Sequence, residues 1–326
     1  MGVKEGRIEL VVTGLGGEKR RLDAYVGQAV TEISRSTLSD EKTVLHLNGK
    51  LVKKSKQVGD GDRIQVTYAE TFFDGLKPQK IDLDVLYEDA DMLVINKEQG
   101  MVVHPGAGNS EGTVVNALLY RYGEHFADEL SAGEDEEEAE SEGEGVRPGI
   151  VHRLDKDTSG VLVIARSRVA HRHLSEQFKE RTTKKIYIAL AKGQFAAQGG
   201  MIEANLKRDS SDRKRFTTCS SAEGRRAKTE YQVLRQYKTC ALLRITLHTA
   251  RTHQIRVHMK SIGHPLVGDP IYGREDGQTL MLHALQLEVE SPSTGKRIRC
   301  TAPLPKRFSA YLATTPHLSS VRARFR

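Results

Sequence analysis

The sequence predicts an α+β protein in which a small N-terminal module precedes a larger domain built on a mixed, mostly antiparallel β-sheet with flanking helices. Its 326 residues are enough for about two domains. Strand-like segments outnumber helical ones and often follow one another directly, which favours antiparallel pairing. Gly75 and Pro78 interrupt this pattern, so we assign residues 1–70 to the first domain, 71–80 to a linker and 81–326 to the second.

The elements of the first domain follow from periodicity and turn residues. Asn48-Gly49, within the segment 43–52, is a strong hairpin signal because a type I′ turn requires positive φ at both central residues. The alternation of Ile64, Val66 and Tyr68 predicts a strand over 63–68. The remaining predicted elements are a strand at 8–12 and short helices at 20–26 and 32–38.

The elements of the second domain are predicted in the same way. Apolar or alternating runs indicate strands at 92–96, 161–165, 185–191 and 242–248, and helical periodicity indicates helices at 113–120, 169–181 and 252–262. Thr252 is a plausible N-cap for the last helix, which leaves Arg251 in a connection where its side chain can point into a cleft. In the strand 185–191, alternation places Tyr187 on the face opposite the isoleucines, which we expect to form the core.

The charge of the chain favours a polyanionic partner. The formal net charge is +7, yet the segment 128–144 carries ten acidic residues and no lysine or arginine. Without those ten negative charges the rest of the chain would stand at +17, which is typical of proteins that bind nucleic acid. We interpret 128–144 as a flexible acidic insertion.

Several classes of protein are disfavoured by composition. No apolar run approaches the roughly 20 residues of a membrane helix, and residues 1–10 lack a signal-peptide core, so we expect a cytoplasmic protein that does not bind membranes. Cys219, Cys240 and Cys300 are far apart and are expected to be free thiols, and we expect no metal site. A zinc site built from histidines is disfavoured because His253 and His258 are five residues apart, which does not align them on a helix face.

One run of residues is the strongest candidate for chemistry: Gly149-Ile150-Val151-His152-Arg153-Leu154-Asp155-Lys156-Asp157-Thr158-Ser159-Gly160. It places Asp155 among cations and turn formers, directly before the apolar strand. An aspartate needs no adjacent base to act as a nucleophile, because its carboxylate is already ionised at neutral pH. Asp157 raises the alternative of a two-carboxylate glycoside or N-glycoside hydrolase, although Asp-Thr-Ser-Gly is a typical turn sequence.

The first domain resembles an S4-type RNA-binding module. The resemblance lies in Arg21-Leu22-Asp23, Ile33-Ser34-Arg35-Ser36, Leu47-Asn48-Gly49-Lys50 and Gly59-Asp60-Gly61-Asp62-Arg63-Ile64. It implies that RNA contacts are made by cations of this module, which are Arg21, Arg35, Lys50 and Lys53. A ubiquitin-like or other small adaptor is the alternative.

The second domain resembles pseudouridine synthases of the RluA type over about residues 82–305. His152-Arg153-Leu154-Asp155 resembles their catalytic motif. Three further blocks agree in order and spacing: Asp91–Gly106, Lys184–Leu190, which contains Tyr187, and Leu247–His258, which contains Arg251. In the last block Ala250 stands where the usual pattern has glycine, which would shift Arg251 if that position needs positive φ.

This resemblance implies an RNA-modifying isomerase that uses no cofactor. It implies that Asp155 is the nucleophile, that Arg251 pairs with it, and that Tyr187 stacks on a target base turned out of folded RNA. Arg153 would fill the vacated space or hold a phosphate. The basic segment that includes Arg213, Lys214 and Arg215 is expected to contact phosphates.

The pattern is similar to enzymes acting on large-subunit ribosomal RNA, and transfer RNA is the alternative substrate. A non-catalytic RNA-binding protein is a further alternative from a different class, but it would not need Asp155, Tyr187 and Arg251 in their blocks. No obligate protein partner is implied.

Overall fold

A computed structural model of the chain describes residues 2–30, 38, 43–72, 77–106, 109–123, 126, 148–212, 214–220 and 223–316. Two of the predicted RNA-binding residues, Arg35 and Arg213, lie outside the described residues, as does the acidic segment 128–144. The described residues form two compact units, one that ends at Leu76 and one that begins at Lys77.

The first unit contains one sheet with the strand order β1-β6-β3-β4, and β2 pairs separately with β5. Its elements are β1 (Gly2–Val11), β2 (Arg20–Arg21), α1 (Leu22–Ala29), β3 (Val44–Leu47), β4 (Lys50–Leu51), β5 (Gln57–Val58) and β6 (Arg63–Phe72). The predicted hairpin is confirmed, because Asn48 (φ 50°) and Gly49 (φ 79°) both have positive φ between β3 and β4. Strand β6 continues into the predicted linker because it pairs with β1 as far as Phe72.

The second unit is built on one large sheet. Its strands are β7 (Val85–Glu88), β8 (Met92–Lys97), β9 (Ser159–Ala165), β10 (Lys184–Lys192), β11 (Gly199–Arg208), β12 (Phe216–Cys219), β13 (Arg225–Gln236), β14 (Cys240–Leu247), β15 (Leu282–Glu290) and β16 (Arg297–Thr301). Its helices are α2 (Val114–Tyr122), α3 (Arg168–Lys179), α4 (Gln254–Ser261) and α5 (Lys306–Thr314). None of the helices described has both the length and the apolar character needed to cross a membrane.

The order of strands in this sheet is β12-β11-β13-β14-β10-β15-β9-β8-β7, with β16 added beside β15. The strand β15 lies between β10 and β9 and is parallel to β9, while the other pairs that have been described are antiparallel. The predicted α+β class with a mixed, mostly antiparallel sheet is therefore confirmed.

Both faces of the central strand β10 are buried, which corrects one expectation. Ile188 and Leu190 pack on one face with Phe308 of α5. Tyr187 and Ala189 belong to the largest core cluster, on the other face, together with Leu118 of α2 and Ile255 of α4. The alternation was predicted correctly, but Tyr187 does not face away from the core, because helices cover both sides of the sheet.

Candidate active site

Asp155 lies in a turn that leads into β9. The Thr158 amide donates to the Asp155 carbonyl (3.0 Å), which closes the turn. A segment after β8 holds the same turn from outside: the Gly100 amide donates to the Lys156 carbonyl (2.8 Å), and Gln99 Nε2 donates to the Asp157 carbonyl (2.7 Å). Hydrogen bonds to the backbone carbonyls of Asp155, Lys156 and Asp157 thus fix the backbone that carries the Asp155 carboxylate.

A buried lysine beneath this turn was not predicted as a site residue. The side chain of Lys97 is 1% exposed, and its Nζ donates to the carbonyls of Glu98 (2.9 Å), Met101 (2.8 Å) and Lys156 (3.2 Å). Burial lowers the pKa of Lys97 to about 8, although the negative charge of Asp155 acts in the opposite direction. Lys97 therefore ties the segment after β8 to the turn that carries the nucleophile candidate.

Gly160 anchors the other side of the turn. Its φ is +117°, and a Cβ there would overlap the backbone carbonyl of Ala284, which is opposite Gly160 in the parallel β9–β15 pair. Only glycine allows this close approach of two backbones. Because the Asp155 turn leads directly into β9, the parallel pairing of β9 with β15 fixes the position of Asp155 relative to β15.

The guanidinium that the structure places at Asp155 is that of Arg256, on α4. Arg256 Nη1 lies 3.5 Å from Asp155 Oδ2. The same guanidinium forms a two-bond fork with Asp269, through Nε to Oδ2 and Nη2 to Oδ1, both at 2.8 Å. One buried arginine is therefore fixed by one aspartate and directed at another.

The electrostatics of this cluster keep Arg256 and Asp269 charged. Burial lowers the pKa of Arg256, but the hydrogen bonds and charge of Asp269 and the charge of Asp155 reverse that effect, so its pKa is raised. Burial raises the pKa of Asp269, but the hydrogen bonds and charge of Arg256 and two backbone amides together outweigh that effect, so the pKa is lowered. Asp269 also accepts from the amides of Ile271 (2.9 Å) and Tyr272 (3.0 Å), so its carboxylate is fully engaged and unsuited to acid–base chemistry.

Arg256 and His253 were missed as site residues by the sequence analysis. The helix was predicted to start after Thr252, but it starts at Gln254, and His253 at its N-cap has a left-handed conformation (φ 56°). His253 Nε2 lies 3.8 Å from Asp155 Oδ2. The sequence signal that could have singled out Arg256 is its place between Ile255 and Val257 in a predicted helix, since an arginine that is buried requires a carboxylate partner. The sequence does not show which carboxylate that is.

Arg251 lies in the connection between β14 and α4, as predicted. Its amide donates to Gln254 Oε1 (3.1 Å), and Gln254 in turn donates to the Lys228 carbonyl (3.1 Å). Ala250 does not require a special backbone conformation: among the described residues, positive φ outside glycine occurs at Asn48, Arg181 and His253. The pairing of Arg251 with Asp155 stays a prediction.

Tyr187 is brought to the same site. Its side chain is 8% exposed, in the middle of β10 opposite Ala284. Burial raises the pKa of Tyr187 well above its usual value, and the nearby charge of Asp155 raises it further. The phenol is therefore neutral and suited to stacking or hydrogen bonding rather than to service as a base.

The predicted RNA-contacting cations that are described lie at the surface. Arg153, Lys214, Lys50 and Lys53 are exposed. Arg21 is also exposed and forms an ion pair with Asp23, with Nη2 and Oδ2 2.6 Å apart. Arg215 lies over the ring of Tyr272, with 5.8 Å between its Cζ and the ring centroid.

Comparison with known proteins identifies the family. A family model described as RNA pseudouridylate synthase matches residues 91–261. An uncharacterized RNA pseudouridine synthase of Aquifex aeolicus is 40% identical over 296 residues, which cover 86% of this chain and 89% of that protein. Ribosomal large subunit pseudouridine synthase D of Borreliella burgdorferi is 39% identical, with 90% of this chain and 89% of that protein covered.

A solved structure shows the same fold. Human RNA pseudouridylate synthase domain containing 1 superposes with a TM-score of 0.54 at 24% identity, over 73% of this chain and 97% of that one. With the matched segment covering the Asp155 turn, Tyr187 and Arg256, the chain belongs to the RNA pseudouridylate synthase family and is an RNA pseudouridine synthase.

Proposed function

We propose that this enzyme converts uridine to pseudouridine in large-subunit ribosomal RNA, with Asp155 as the nucleophile. The observation that carries the assignment of Asp155 is its position: a carboxylate on a fixed turn, 3.5 Å from a buried guanidinium and close enough to Tyr187 to raise the pKa of that phenol. The choice of RNA is supported by the relatives of Borreliella burgdorferi and Zymomonas mobilis, both of which are named ribosomal large subunit pseudouridine synthase D.

The reaction is an isomerisation with a closed balance of atoms. The N1–C1′ bond of uridine breaks, the C5–C1′ bond forms, C5 loses a proton and N1 gains one. Asp155 can act by three alternative routes: attack on the ribose, attack on the uracil ring or abstraction of a ribose proton. Each route uses the carboxylate of Asp155, whose Oδ2 lies 3.5 Å from Arg256 Nη1.

The neighbouring residues have distinct roles in this proposal. Arg256 directs the carboxylate of Asp155, a role that sequence analysis gave to Arg251. Arg251 remains a proposed second arginine of the cleft, located by its bond to Gln254. Tyr187 offers a flat, neutral ring for the target base. Arg153, two residues before the nucleophile, is exposed, and its proposed role is to contact a phosphate or to fill the space left by the base.

RNA binding is proposed to use the exposed cations of both units. Phosphate contacts of this kind release counterions, so affinity is expected to fall steeply with salt. An S4-like role for the first unit, with Arg21, Arg35, Lys50 and Lys53 as contacts, is part of this proposal, as are Arg213, Lys214 and Arg215 in the second.

The test uses purified enzyme and ribosomal RNA transcripts, followed by chemical mapping of pseudouridine. Asp155→Ala is expected to abolish product while leaving RNA affinity within about twofold. Asp157→Asn, two residues along the same turn, is the matched control and is expected to keep activity. Release of free uracil would instead indicate a hydrolase, and a normal Asp155→Ala enzyme would contradict the nucleophile.

Transfer RNA is the alternative substrate and is distinguished by a second arm. Pseudouridine is mapped across cellular RNA with and without the gene. Loss confined to large-subunit ribosomal RNA supports the proposal, whereas loss confined to transfer RNA would replace the proposed substrate while keeping the enzyme class.

A further inference from the structure

A histidine beside the nucleophile is left without a role by the proposal above. His253 has its Nε2 3.8 Å from Asp155 Oδ2 and its Nδ1 2.8 Å from the hydroxyl of Tyr272. Its side chain is 14% exposed, and its backbone takes the left-handed conformation that turns the chain into α4. The ring therefore bridges a buried tyrosine and the reactive carboxylate.

The hydrogen bonds of Tyr272 decide which ring nitrogen of His253 carries the proton. The Tyr272 hydroxyl oxygen accepts from the Phe216 amide (2.8 Å). Tyr272 is 3% exposed, and a buried hydroxyl hydrogen without an acceptor is costly. That hydrogen is satisfied when it is donated to His253 Nδ1, which makes Nδ1 the acceptor and leaves the ring proton on Nε2.

The contacts of Asp155 distinguish its two oxygens. Arg256 Nη1 at 3.5 Å and His253 Nε2 at 3.8 Å both approach Oδ2. Two N–H groups that face one oxygen favour negative charge on that side and favour one rotation of the carboxylate. At 3.5 and 3.8 Å the approaches are long, and such contacts commonly shorten when substrate closes a site.

We propose that neutral His253, with its proton on Nε2, is a positioning residue that holds Oδ2 of Asp155 together with Arg256 and so presents Oδ1 to the nucleotide. This inference rests on the proposed role of Asp155. Tyr272 acts through His253: it fixes the tautomer and the plane of the ring.

The test compares substitutions that separate the donor from the backbone conformation. His253→Gln keeps an N–H donor of similar reach, whereas His253→Asn is too short but tolerates the left-handed conformation better. Positioning predicts that the single-turnover rate falls about 10- to 100-fold in His253→Asn and less than about fivefold in His253→Gln. A merely structural role predicts the opposite order. His173→Gln on α3 is the matched control and is expected to match wild type.

Tyr272→Phe tests whether the Tyr272 hydroxyl acts through the His253 ring. The rate is expected to fall about three- to tenfold with unchanged RNA affinity, and the substitution is expected to have no further effect in a His253→Asn background, because its effect passes through that ring. In ¹⁵N-histidine spectra, the His253 signal is expected to show the Nε2–H tautomer in wild type and to lose that pattern in Tyr272→Phe.

The outcomes separate this inference from the function on which it rests. An inactive wild-type enzyme would overturn both. An active enzyme whose His253→Asn rate equals or exceeds that of His253→Gln, an Nδ1–H tautomer in wild type, or additive effects of the two substitutions would overturn the inference alone. Thermal unfolding and RNA affinity of each variant are measured so that a misfolded protein is recognised.

Discussion

Two arginine–aspartate pairs, one in each unit, have nearly the same geometry and very different surroundings. Arg256 and Asp269 form a two-bond fork in which the side chains are 3% and 0% exposed. Arg21 and Asp23 form the same kind of fork, with side chains 52% and 21% exposed. In the buried pair, loss of one partner leaves the other charge buried and uncompensated, which is strongly destabilising. In the exposed pair, water can solvate either charge if its partner is removed. The same residue types therefore build a catalytic scaffold in one unit and hold a surface cation in the other.

The largest effect is expected when the buried arginine is replaced. Arg256→Lys keeps the charge but removes the fork and the contact with Asp155, so the single-turnover rate is expected to fall by at least about 100-fold. Arg251→Lys is the matched control for the assignment. A larger loss in Arg251→Lys than in Arg256→Lys would return the role at Asp155 to Arg251.

The aspartates of the two pairs are expected to differ in stability. Asp269→Asn leaves Arg256 without its compensating charge, so we expect the free energy of unfolding of the second unit to fall by about 3–5 kcal/mol. Asp23→Asn is expected to leave the first unit unchanged within the error of a urea titration, because its partner is solvated. Equal losses in the two variants would contradict the role given to burial.

Lys97 differs from both arginines, because its buried ammonium group donates to backbone carbonyls rather than to a carboxylate. Its pKa is about 8 when folded, below the usual value, so between about pH 8 and pH 10.5 the unfolded chain binds more protons than the native one. The contribution of Lys97 to the free energy of unfolding is therefore lowest below pH 8. It rises by up to about 3 kcal/mol between about pH 8 and pH 10.5. Measured by urea unfolding, the stability of wild type relative to Lys97→Met is expected to increase from pH 7 to pH 10, and a flat difference would contradict the lowered pKa.

The smallest effect is expected at the exposed cations. Lys53→Glu is predicted to weaken RNA binding about three- to tenfold at low salt and to reduce the slope of affinity against salt, with the rate at saturation unchanged. Lys296→Glu, the same charge change on a turn of the second unit, is the control. An equal loss in both variants would mean that net charge, rather than the first unit, sets the affinity.

Sequence reasoning succeeded where a local conformation depends on local pattern. The turn at Asp155 could be predicted because turn-forming residues surround it and an apolar strand follows. The hairpin turn at Asn48-Gly49 could be predicted because these two residues themselves favour positive φ. The alternation of β10 likewise put Tyr187 and Ile188 on opposite faces, although which faces are covered depends on helices distant in the chain.

It failed where a role depends on contacts between distant segments. Arg256 was missed, because its contact with Asp155 depends on how α4 folds after the left-handed turn at His253. Lys97 acquires its role from three carbonyl groups, one of them in the Asp155 turn 59 residues away. Nothing in the local sequence reports such partners.

The location of β15 has a consequence for how the enzyme is made. This strand joins β9 to β10, yet it is synthesised well after both of them. Until Leu282–Glu290 emerges from the ribosome, β9 and β10 each present an open edge, which is a template for intermolecular pairing. Chains terminated before Leu282 are therefore expected to aggregate rather than to persist as slow enzymes, and the nucleophile acquires its final surroundings only near the end of translation.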